Sequence, residues 1–299
     1  MDLEPDLNPD RASRGFLRRW FRRATPAPRV QEAAVIAFAS GKGGTGKSFL
    51  VTNAALALHN EGLRVAVVDC DFGLGNAHLL FGVNPRYSMQ HLLDDRVPVQ
   101  QVLQRTPFGP NLLAGGSGIA SLADLDARHM QALGRALRWV ASQHDVVLLD
   151  CAAGLSPQSL ITVLAAQEVV LVTNPEIAAL TDAYALIKCL ARQGRHPSIQ
   201  LVVNRVTQPG LGQATFSRLA EVARRFVGCS IHYLGEVPED PAVTHRRLGQ
   251  PPLLRSLPEC ETTKALQVVF REISRQVHAM QEAIGPGVEE RMAQQILRW

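Results

Sequence analysis

The sequence has no run of 18 or more apolar residues, so it predicts no helix that crosses a membrane. Aromatic residues make up only 5% of its 299 residues, so the core must be built mainly from Ala, Val, Leu and Ile. The N-terminus is acidic and then arginine-rich, and it lacks the apolar segment of a secretory signal. We therefore expect a cytoplasmic globular protein.

Cysteine is scarce, and no two cysteines have the C-x-x-C spacing of many metal and redox sites. The number of cysteines is odd, and most of them lie in apolar or helical surroundings. We expect reduced thiols in the core and neither a metal site ligated by cysteines nor an iron–sulfur cluster. The five are Cys70, Cys151, Cys189, Cys229 and Cys260.

The net charge of +4 is concentrated near the N-terminus. Residues 1–10 carry four acids and no base, whereas residues 11–29 carry seven arginines and no acid. The rest of the chain is close to neutral, which argues against a body that binds nucleic acid through its phosphates. We expect no sequence-specific nucleic acid as a partner.

Residues 1–32 are predicted to form a flexible, basic, amphipathic tail, because proline-rich stretches flank a basic segment at 11–23. As a helix, this segment places its bulky apolar side chains on one face, with arginines around them. Such a helix can lie on an anionic membrane or dock on a partner protein, and a disordered basic tail is the alternative. The apolar residues are Phe16, Leu17, Trp20 and Phe21.

Apolar strands alternate with helical patterns along the rest of the chain. This order predicts an α/β fold, a doubly wound and mostly parallel sheet with helices on both faces. Ligands of such sheets bind at the carboxyl ends of the strands. The predicted strands are 33–39, 64–69, 145–150, 168–173, 199–204 and 230–234, and the predicted helices include 49–58, 124–143, 156–166, 178–193, 211–227 and 260–282.

Residues 41–48, GKGGTGKS, match the phosphate-binding pattern G-x-x-x-x-G-K-[ST] between a predicted strand and a predicted helix. Glycines let backbone N–H groups converge on phosphate oxygens, and the helix N-terminus adds partial positive charge. Lys47 can reach the β- and γ-phosphates, and Ser48 can place its hydroxyl on Mg²⁺.

Lys42, directly after the first glycine, makes this loop resemble the deviant phosphate loop of the MinD/ParA ATPases. The resemblance covers about residues 33–255. It implies a P-loop NTPase fold, ATP and Mg²⁺ as cofactors, and a slow, dimer-activated ATPase. In that family the extra lysine crosses a homodimer interface to the partner's nucleotide.

The resemblance also implies roles for three aspartates that end predicted strands. In the family the run D-x-D-x-G-L-x-N, here from Asp69 to Asn76, is the first switch, so that Asp71 orients the attacking water and Asp69 lies near Mg²⁺. Asp150 resembles the Walker B aspartate. The alternative is that Asp69 and Asp71 only cap the next helix. The implied catalytic residues are Lys42, Lys47 and Asp71, and the implied metal-site residues are Ser48, Asp69, Asp71 and Asp150.

Two further stretches resemble the family's adenine-binding residues. Asn204 ends a predicted strand, and its side chain can both donate to and accept from the adenine edge. Residues 237–240 resemble a loop whose backbone closes over the base. The implied nucleotide-binding residues are Gly41, Lys42, Gly43, Gly44, Thr45, Gly46, Lys47, Ser48, Phe49, Asn204, Val237, Pro238, Glu239 and Asp240.

Within the family, residues 79–93, 115–118, 173–176 and 180–188 are similar to the FlhG/FleN group of flagellar-number regulators. The group implies control of flagellar number, placement or gene expression. Its implied partners are the GTPase FlhF, a flagellar transcription regulator or flagellar switch components. Two departures bear on the partner surfaces: His78 stands where an Asp is common, and the N-terminal motif for FlhF is stretched here.

The C-terminal residues 284–299 are predicted to form a short amphipathic helix after a Gly-Pro-Gly break. In the family such a helix binds the membrane in the ATP dimer, where two copies gain by avidity. The alternative is a helix that packs back on the body. We thus expect three parts, 1–32, the ATPase domain 33–283 and 284–299, and reversible peripheral association with the inner face of the cytoplasmic membrane.

Two other functions share these motifs. One is a MinD/ParA-type ATPase that positions division sites, DNA or cellulose synthesis. The other is a nucleotide-gated scaffold with negligible turnover, because intact motif residues do not set a rate.

Overall fold

The strands form where aliphatic residues run almost without interruption between turns. The computed structural model describes residues 33–73, 75–116, 126–193, 197–246, 250–282 and 286–297, all within a unit that spans Ala33–Trp299. The strands in them are β1 (Ala34–Ala39), β2 (Val65–Cys70), β3 (Leu103–Arg105), β4 (Asn111–Leu113), β5 (Val146–Cys151), β6 (Glu168–Thr173), β7 (Ser198–Val206) and β8 (His232–Pro238).

Helices fill most of the connections between these strands. Several of the long ones carry one apolar stripe that packs on the sheet, whereas the helix at Lys47–Asn60 is buried over most of its surface. The helices are α1 (Lys47–Asn60), α2 (Ala77–Leu80), α3 (Met89–Leu93), α4 (Val99–Val102), α5 (Ala127–Gln143), α6 (Pro157–Leu164), α7 (Ile177–Ala191), α8 (Leu211–Val227), α9 (Pro241–Thr244), α10 (Leu253–Ser256), α11 (Glu261–Glu282) and α12 (Val288–Ile296).

The strands form one sheet in the order β3-β4-β2-β5-β1-β6-β7-β8. Every neighbouring pair is parallel except β3 and β4. The predicted fold class, a doubly wound and mostly parallel sheet, is confirmed.

The sheet is buried on both faces because successive side chains of each strand point to opposite sides. In β1, Ile36 and Phe38 pack with α1 and α11, whereas Val35 and Ala37 pack on the side of α5, α6, α7, α8 and α12. These two cores hold the strands' carboxyl ends in one row.

The β3–β4 hairpin was not predicted from the sequence. Its strands have three residues each, and Leu103 of β3 pairs with Leu113 of β4 at the sheet's edge. Such short segments carry no period-2 pattern, so the pairing depends on the neighbouring strand β2.

Helix α12 packs on the body, which is the alternative that the sequence left open. Val288 and Met292 are buried beside α5 and α6. Arg138 of α5 forms an ion pair of 2.8 Å with Glu289, and the Arg291 Nε donates a 2.6 Å hydrogen bond to the Ala165 carbonyl. In this conformation the apolar face of α12 is covered.

Several sequence predictions lie wholly or partly outside the described residues. They include the tail at 1–32, the glycine and serine loop at residues 117 and 118, and the C-terminal helix at residues 284, 285, 298 and 299. Among the helices that the structure describes, none is both long and apolar enough to cross a membrane. None of the five cysteines is in a disulfide.

Candidate functional site

The loop at 41–48 connects the carboxyl end of β1 to the first turn of α1. Gly44 and Gly46 have positive φ angles of 79° and 90°, a conformation that disfavours side chains. Gly46 is the N-cap of α1 and supplies no side-chain cap, and the buried Thr45 hydroxyl has no partner in the described part of the chain. The first turn of α1 is therefore suited to an anion.

Lys47 lies beneath this loop, where it is almost fully buried. Its Nζ forms an ion pair and hydrogen bond with Asp150 at the end of β5. Burial by itself lowers the pKa of Lys47, but the attraction and hydrogen bond of Asp150 raise it above the ordinary value. Lys47 is therefore charged at neutral pH.

Asp69 lies beside Asp150, because β2 and β5 pair in parallel with these two residues in register. Burial, followed by the charge of Asp150, raises the pKa of Asp69 to about 7. Asp69 also accepts hydrogen bonds of 3.1 Å from the Asp71 N–H and 3.2 Å from the Ala77 N–H. The site thus concentrates two carboxylates around one ammonium group.

The other two residues of the predicted metal set lie at the rim of this cluster. Asp71 follows β2 and is half-buried, and Ser48 is half-buried in the first turn of α1. Within the described ranges, no group of three or more His, Cys, Asp or Glu side chains converges as a metal site. Mg²⁺ commonly uses one or two carboxylates together with phosphate oxygens and water, so the donors present suit Mg²⁺ bound with a nucleotide.

A cavity of about 440 Å³ opens beside the loop, between α1, α2 and the segment after β8. Asn204 is buried at its wall, and its Nδ2 donates a 2.7 Å hydrogen bond to the Thr45 carbonyl. A Cβ at Gly46 would overlap that amide nitrogen. The cavity is large enough for a nucleoside, and one of the two N–H donors of the Asn204 amide is already used on the loop.

Residues 237–240 also line this cavity. Glu239 forms a 2.8 Å ion pair with Arg205, which follows Asn204 in β7. Asp240 caps α9 by accepting from the Ala242 N–H at 2.8 Å, and it accepts a 2.9 Å hydrogen bond from the Thr262 hydroxyl. Both side chains therefore brace the loop against neighbouring elements.

Sequence reasoning missed several residues of the cavity. They come from short helices or distant segments, and only the fold brings them to the wall. They include Leu79, Leu80, Thr244, Arg246 and Leu253.

Lys42 points away from the buried cluster and is exposed. Its Nζ lies 3.3 Å from the Glu176 carboxylate, just before α7, and both side chains are roughly half exposed. The sequence alone assigns no role to Glu176, although this residue ends the segment 173–176 that begins at the end of β6. Exposed pairs of this kind contribute at most about 1 kcal/mol.

Comparison with known families supports the interpretation of this region as a nucleotide site. The model of the CobQ/CobB/MinD/ParA nucleotide-binding domain matches residues 36–250, which include the loop, the three aspartates and most of the cavity wall.

Among curated proteins, the chain is similar to the antiactivator FleN of Pseudomonas aeruginosa, with 33% identity over 80% of this chain and 85% of FleN. It is also 33% identical to the flagellum site-determining protein YlxH of Helicobacter pylori, over 74% of this chain and 75% of YlxH. Among solved structures, the septum site-determining protein MinD of Pyrococcus horikoshii, complexed with Mg-ADP, matches with a TM-score of 0.70 and 25% identity over 84% of this chain and 100% of that one.

Proposed function

The chain belongs to the family of CobQ/CobB/MinD/ParA nucleotide-binding proteins, and from that premise we propose an ATPase whose ATP-bound dimer controls flagellar number or placement. One observation carries the proposal: Lys47, Asp150 and Asp69 converge under a glycine loop that leads into a helix N-terminus. This arrangement can hold a triphosphate and a divalent cation together.

Each part of the site has one task in this proposal. Backbone N–H groups of the loop and the Lys47 ammonium bind phosphate oxygens, and Ser48, Asp69 and Asp150 hold Mg²⁺, directly or through water. Bound Mg-ATP supplies the phosphoryl group that water accepts. Asp71, half-buried at the rim, orients that water. The complex of the P. horikoshii MinD with Mg-ADP supports these cofactors.

Base selection is assigned to Asn204 and the loop 237–240. Because one N–H of the Asn204 Nδ2 donates to the Thr45 carbonyl, the Oδ1 and the second N–H are left for the base. An acceptor beside a donor matches the 6-amino group and the adjacent ring nitrogen of adenine. ATP is therefore the expected nucleotide.

Dimerisation is assigned to Lys42. Its ion pair with Glu176 is exposed and weak, so the lysine can leave it at little cost and reach the nucleotide of a second copy. Two copies would then enclose two ATP molecules, and hydrolysis would separate them.

Membrane binding through 284–299 requires a conformational change. The apolar residues of α12 are covered by α5 and α6, so the helix must leave this groove before it can meet lipid. One short helix with two acids binds weakly, and a dimer would supply the second copy that makes binding useful.

The flagellar role is inferred from FleN and YlxH, whose names describe an antiactivator and a flagellum site-determining protein. By analogy, the partners would be a flagellar transcription regulator, the GTPase FlhF or flagellar switch components.

The dimer model is tested with Asp71→Ala, which removes the water-orienting carboxylate. We expect this variant to bind ATP and to remain a dimer in light scattering, because hydrolysis no longer separates the subunits. The matched variant Lys42→Ala should bind ATP and remain a monomer. If Asp71→Ala binds ATP but stays monomeric, the dimer switch is wrong.

A further inference from the structure

A positively charged surface with one exposed aromatic residue lies at the C-terminal ends of α7 and α8. We name it the α7–α8 patch. It consists of Lys188, Arg192, Arg218, Arg224, Arg225 and Phe226, all exposed.

The two helices bring these residues to one end of the molecule. Helices α7 and α8 contact each other, and each connects the carboxyl end of one parallel strand to the start of the next. Their C-termini therefore lie at the amino edge of the sheet, opposite the nucleotide site. A partner bound there would leave Lys47 and the cavity open.

The charge of this patch is not neutralised locally. In the described part of the chain, none of its five cations forms an ion pair within 4 Å. Glu221 is the one acid in the sequence of α8. Residues 33–299 as a whole contain 24 Lys and Arg against 22 Asp and Glu. The patch thus carries a local excess of positive charge on a nearly neutral body.

Phe226 is 66% exposed. Because aromatic residues are rare in this chain, one that is left on the surface calls for an explanation. Leu219, Ala223 and Phe226 follow one another at helical spacing, so Phe226 extends the buried stripe of α8 to its last turn. The Arg225 guanidinium lies 5.2 Å from the centre of the Phe226 ring. An aromatic residue beside arginine is the composition of binding hot spots.

A purely structural explanation covers part of the patch. Arg224 and Arg225 in the last turn of α8 stabilise the negative end of the helix dipole. That effect does not explain Arg218, which lies two turns earlier, or the exposure of Phe226.

We propose that the α7–α8 patch docks an acidic protein segment that buries Phe226 in an apolar pocket and surrounds it with carboxylates. A protein fits better than a membrane, because a single aromatic residue offers too little apolar area for stable insertion. It fits better than nucleic acid, because a single aromatic residue offers no series of stacking positions for successive bases. The proposal goes beyond the proposed function and does not depend on the nucleotide site.

The first test identifies the partner by contact. The photo-crosslinking residue p-benzoylphenylalanine replaces Phe226 in the full chain, which is expressed in its native host and irradiated. The matched control places it at Val268 of α11, which is 56% exposed on the opposite face of the sheet. We expect one acidic protein to crosslink from position 226 and not from position 268.

The second test measures binding of that protein, purified, by calorimetry. Phe226→Ser and Arg225→Glu should each weaken binding at least about tenfold, whereas Arg271→Glu on α11 should change it less than about twofold. Higher salt should weaken binding of the parent chain. ATPase activity of all three variants should match the parent, and so should the Tm of Phe226→Ser and Arg271→Glu, which excludes misfolding. Arg225→Glu should lower Tm slightly, because it reverses a charge at the C-terminus of α8.

Three results would overturn the proposal. They are the absence of a protein product specific to position 226, a specific product that is lipid or nucleic acid, and a captured protein that binds Phe226→Ser as tightly as the parent. None of them bears on ATP-dependent dimerisation, which Asp71→Ala tests separately.

Discussion

Two aspartates and one lysine dominate the site at the scale of single residues. Asp69 and Asp150 are buried neighbours in register on β2 and β5, and Lys47 pairs with Asp150. Without a cation, two buried carboxylates share one ammonium group, which is unfavourable. The fold thus keeps one excess negative charge in this buried cluster, which a proton on Asp69 or a bound cation can offset.

This imbalance predicts a pH-dependent stability of the nucleotide-free protein. The pKa of Asp69 is about 7 in the folded state, against an ordinary value of 3.8. Between these values the folded protein holds a proton that the unfolded chain has lost, so the Asp69 carboxyl lowers the free energy of unfolding as pH rises. Asp69→Asn cannot titrate, so it removes this pH-dependent fall in the free energy of unfolding. Its Tm relative to the parent should rise from pH 5 to pH 8 by roughly 5 °C.

The measurement is thermal unfolding in EDTA without nucleotide. Taking the difference between variant and parent removes the titration of the histidines, which both proteins share. With Mg-ATP in excess the trend should disappear, because the metal favours the Asp69 carboxylate, which is then ionised in both the folded and the unfolded chain between pH 5 and pH 8. A difference in Tm that stays constant between pH 5 and pH 8 would show that Asp69 titrates normally.

The sequence predicted the individual residues of the site better than their contacts. Its strand patterns place Asp69, Asp150 and Asn204 at the carboxyl edge of the sheet, where they lie. The hydrogen bond from Asn204 to Thr45 joins residues far apart in the chain, and no local pattern encodes it. Glu176 belongs to the stretch 173–176, which stands out in the sequence. Its contact with Lys42, however, depends on the order of β1 and β6 in the sheet.

At the scale of elements, long segments were predicted and short ones were not. The strand at 168–173 and the helix at 211–227 have the predicted bounds, because each carries a clear apolar period and ends at breakers. Strands β3 and β4 and helices α9 and α10 have three or four residues each. Such elements form because neighbours hold them in place, so their own sequence does not specify them.

Helix α12 shows why an amphipathic pattern alone does not predict its environment. The same apolar face can meet lipid or a groove of the body, and here Met292 and Val288 lie in the groove beside α5 and α6. At Gly134 of α5, a Cβ would lie 3.6 Å from both the Met292 sulfur and the Glu289 side chain. There is room for a methyl group at this contact and little more.

Gly134 therefore offers a way to release α12 without nucleotide. Gly134→Phe would overfill the contact, at a cost of about 1–3 kcal/mol, and should expel the helix. We expect proteolysis to begin within α12 and the variant to bind anionic vesicles in the absence of ATP. Gly134→Ala, which fits the available space, is the matched control and should behave as the parent.

The two readouts separate release from membrane binding. If Gly134→Phe exposes α12 to protease but does not sediment with vesicles, the helix is not a membrane anchor. If neither readout changes, the groove accommodates the larger side chain, and a charged residue in place of Met292 is the next variant.

At the scale of the whole molecule, the two edges of the sheet have different tasks. The nucleotide loop, the aspartates and the cavity lie at the carboxyl edge. At the amino edge, Arg64 and Asp145 tie the starts of β2 and β5 together. The Asp145 carboxylate accepts a 2.8 Å hydrogen bond from the Arg64 N–H and others from the guanidinium, of which the shortest is 2.6 Å. The nucleotide site and the stabilising Arg64–Asp145 pair thus lie at opposite edges of the parallel sheet.

This division predicts opposite phenotypes for substitutions at the two edges. Asp145→Asn should lower Tm by about 2–4 °C and leave ATPase kcat unchanged, because it weakens one partly exposed pair far from the site. Lys47→Ala should abolish ATPase activity while the fold is retained.

The hydrogen bond from Arg64 lowers the pKa of Asp145, so the stabilisation of the folded protein by this pair is present above the ordinary pKa and is lost as pH falls. The Tm difference between Asp145→Asn and the parent should therefore shrink as pH falls below the ordinary pKa of 3.8, and a difference that stays constant there would assign the pair's contribution to packing instead of charge.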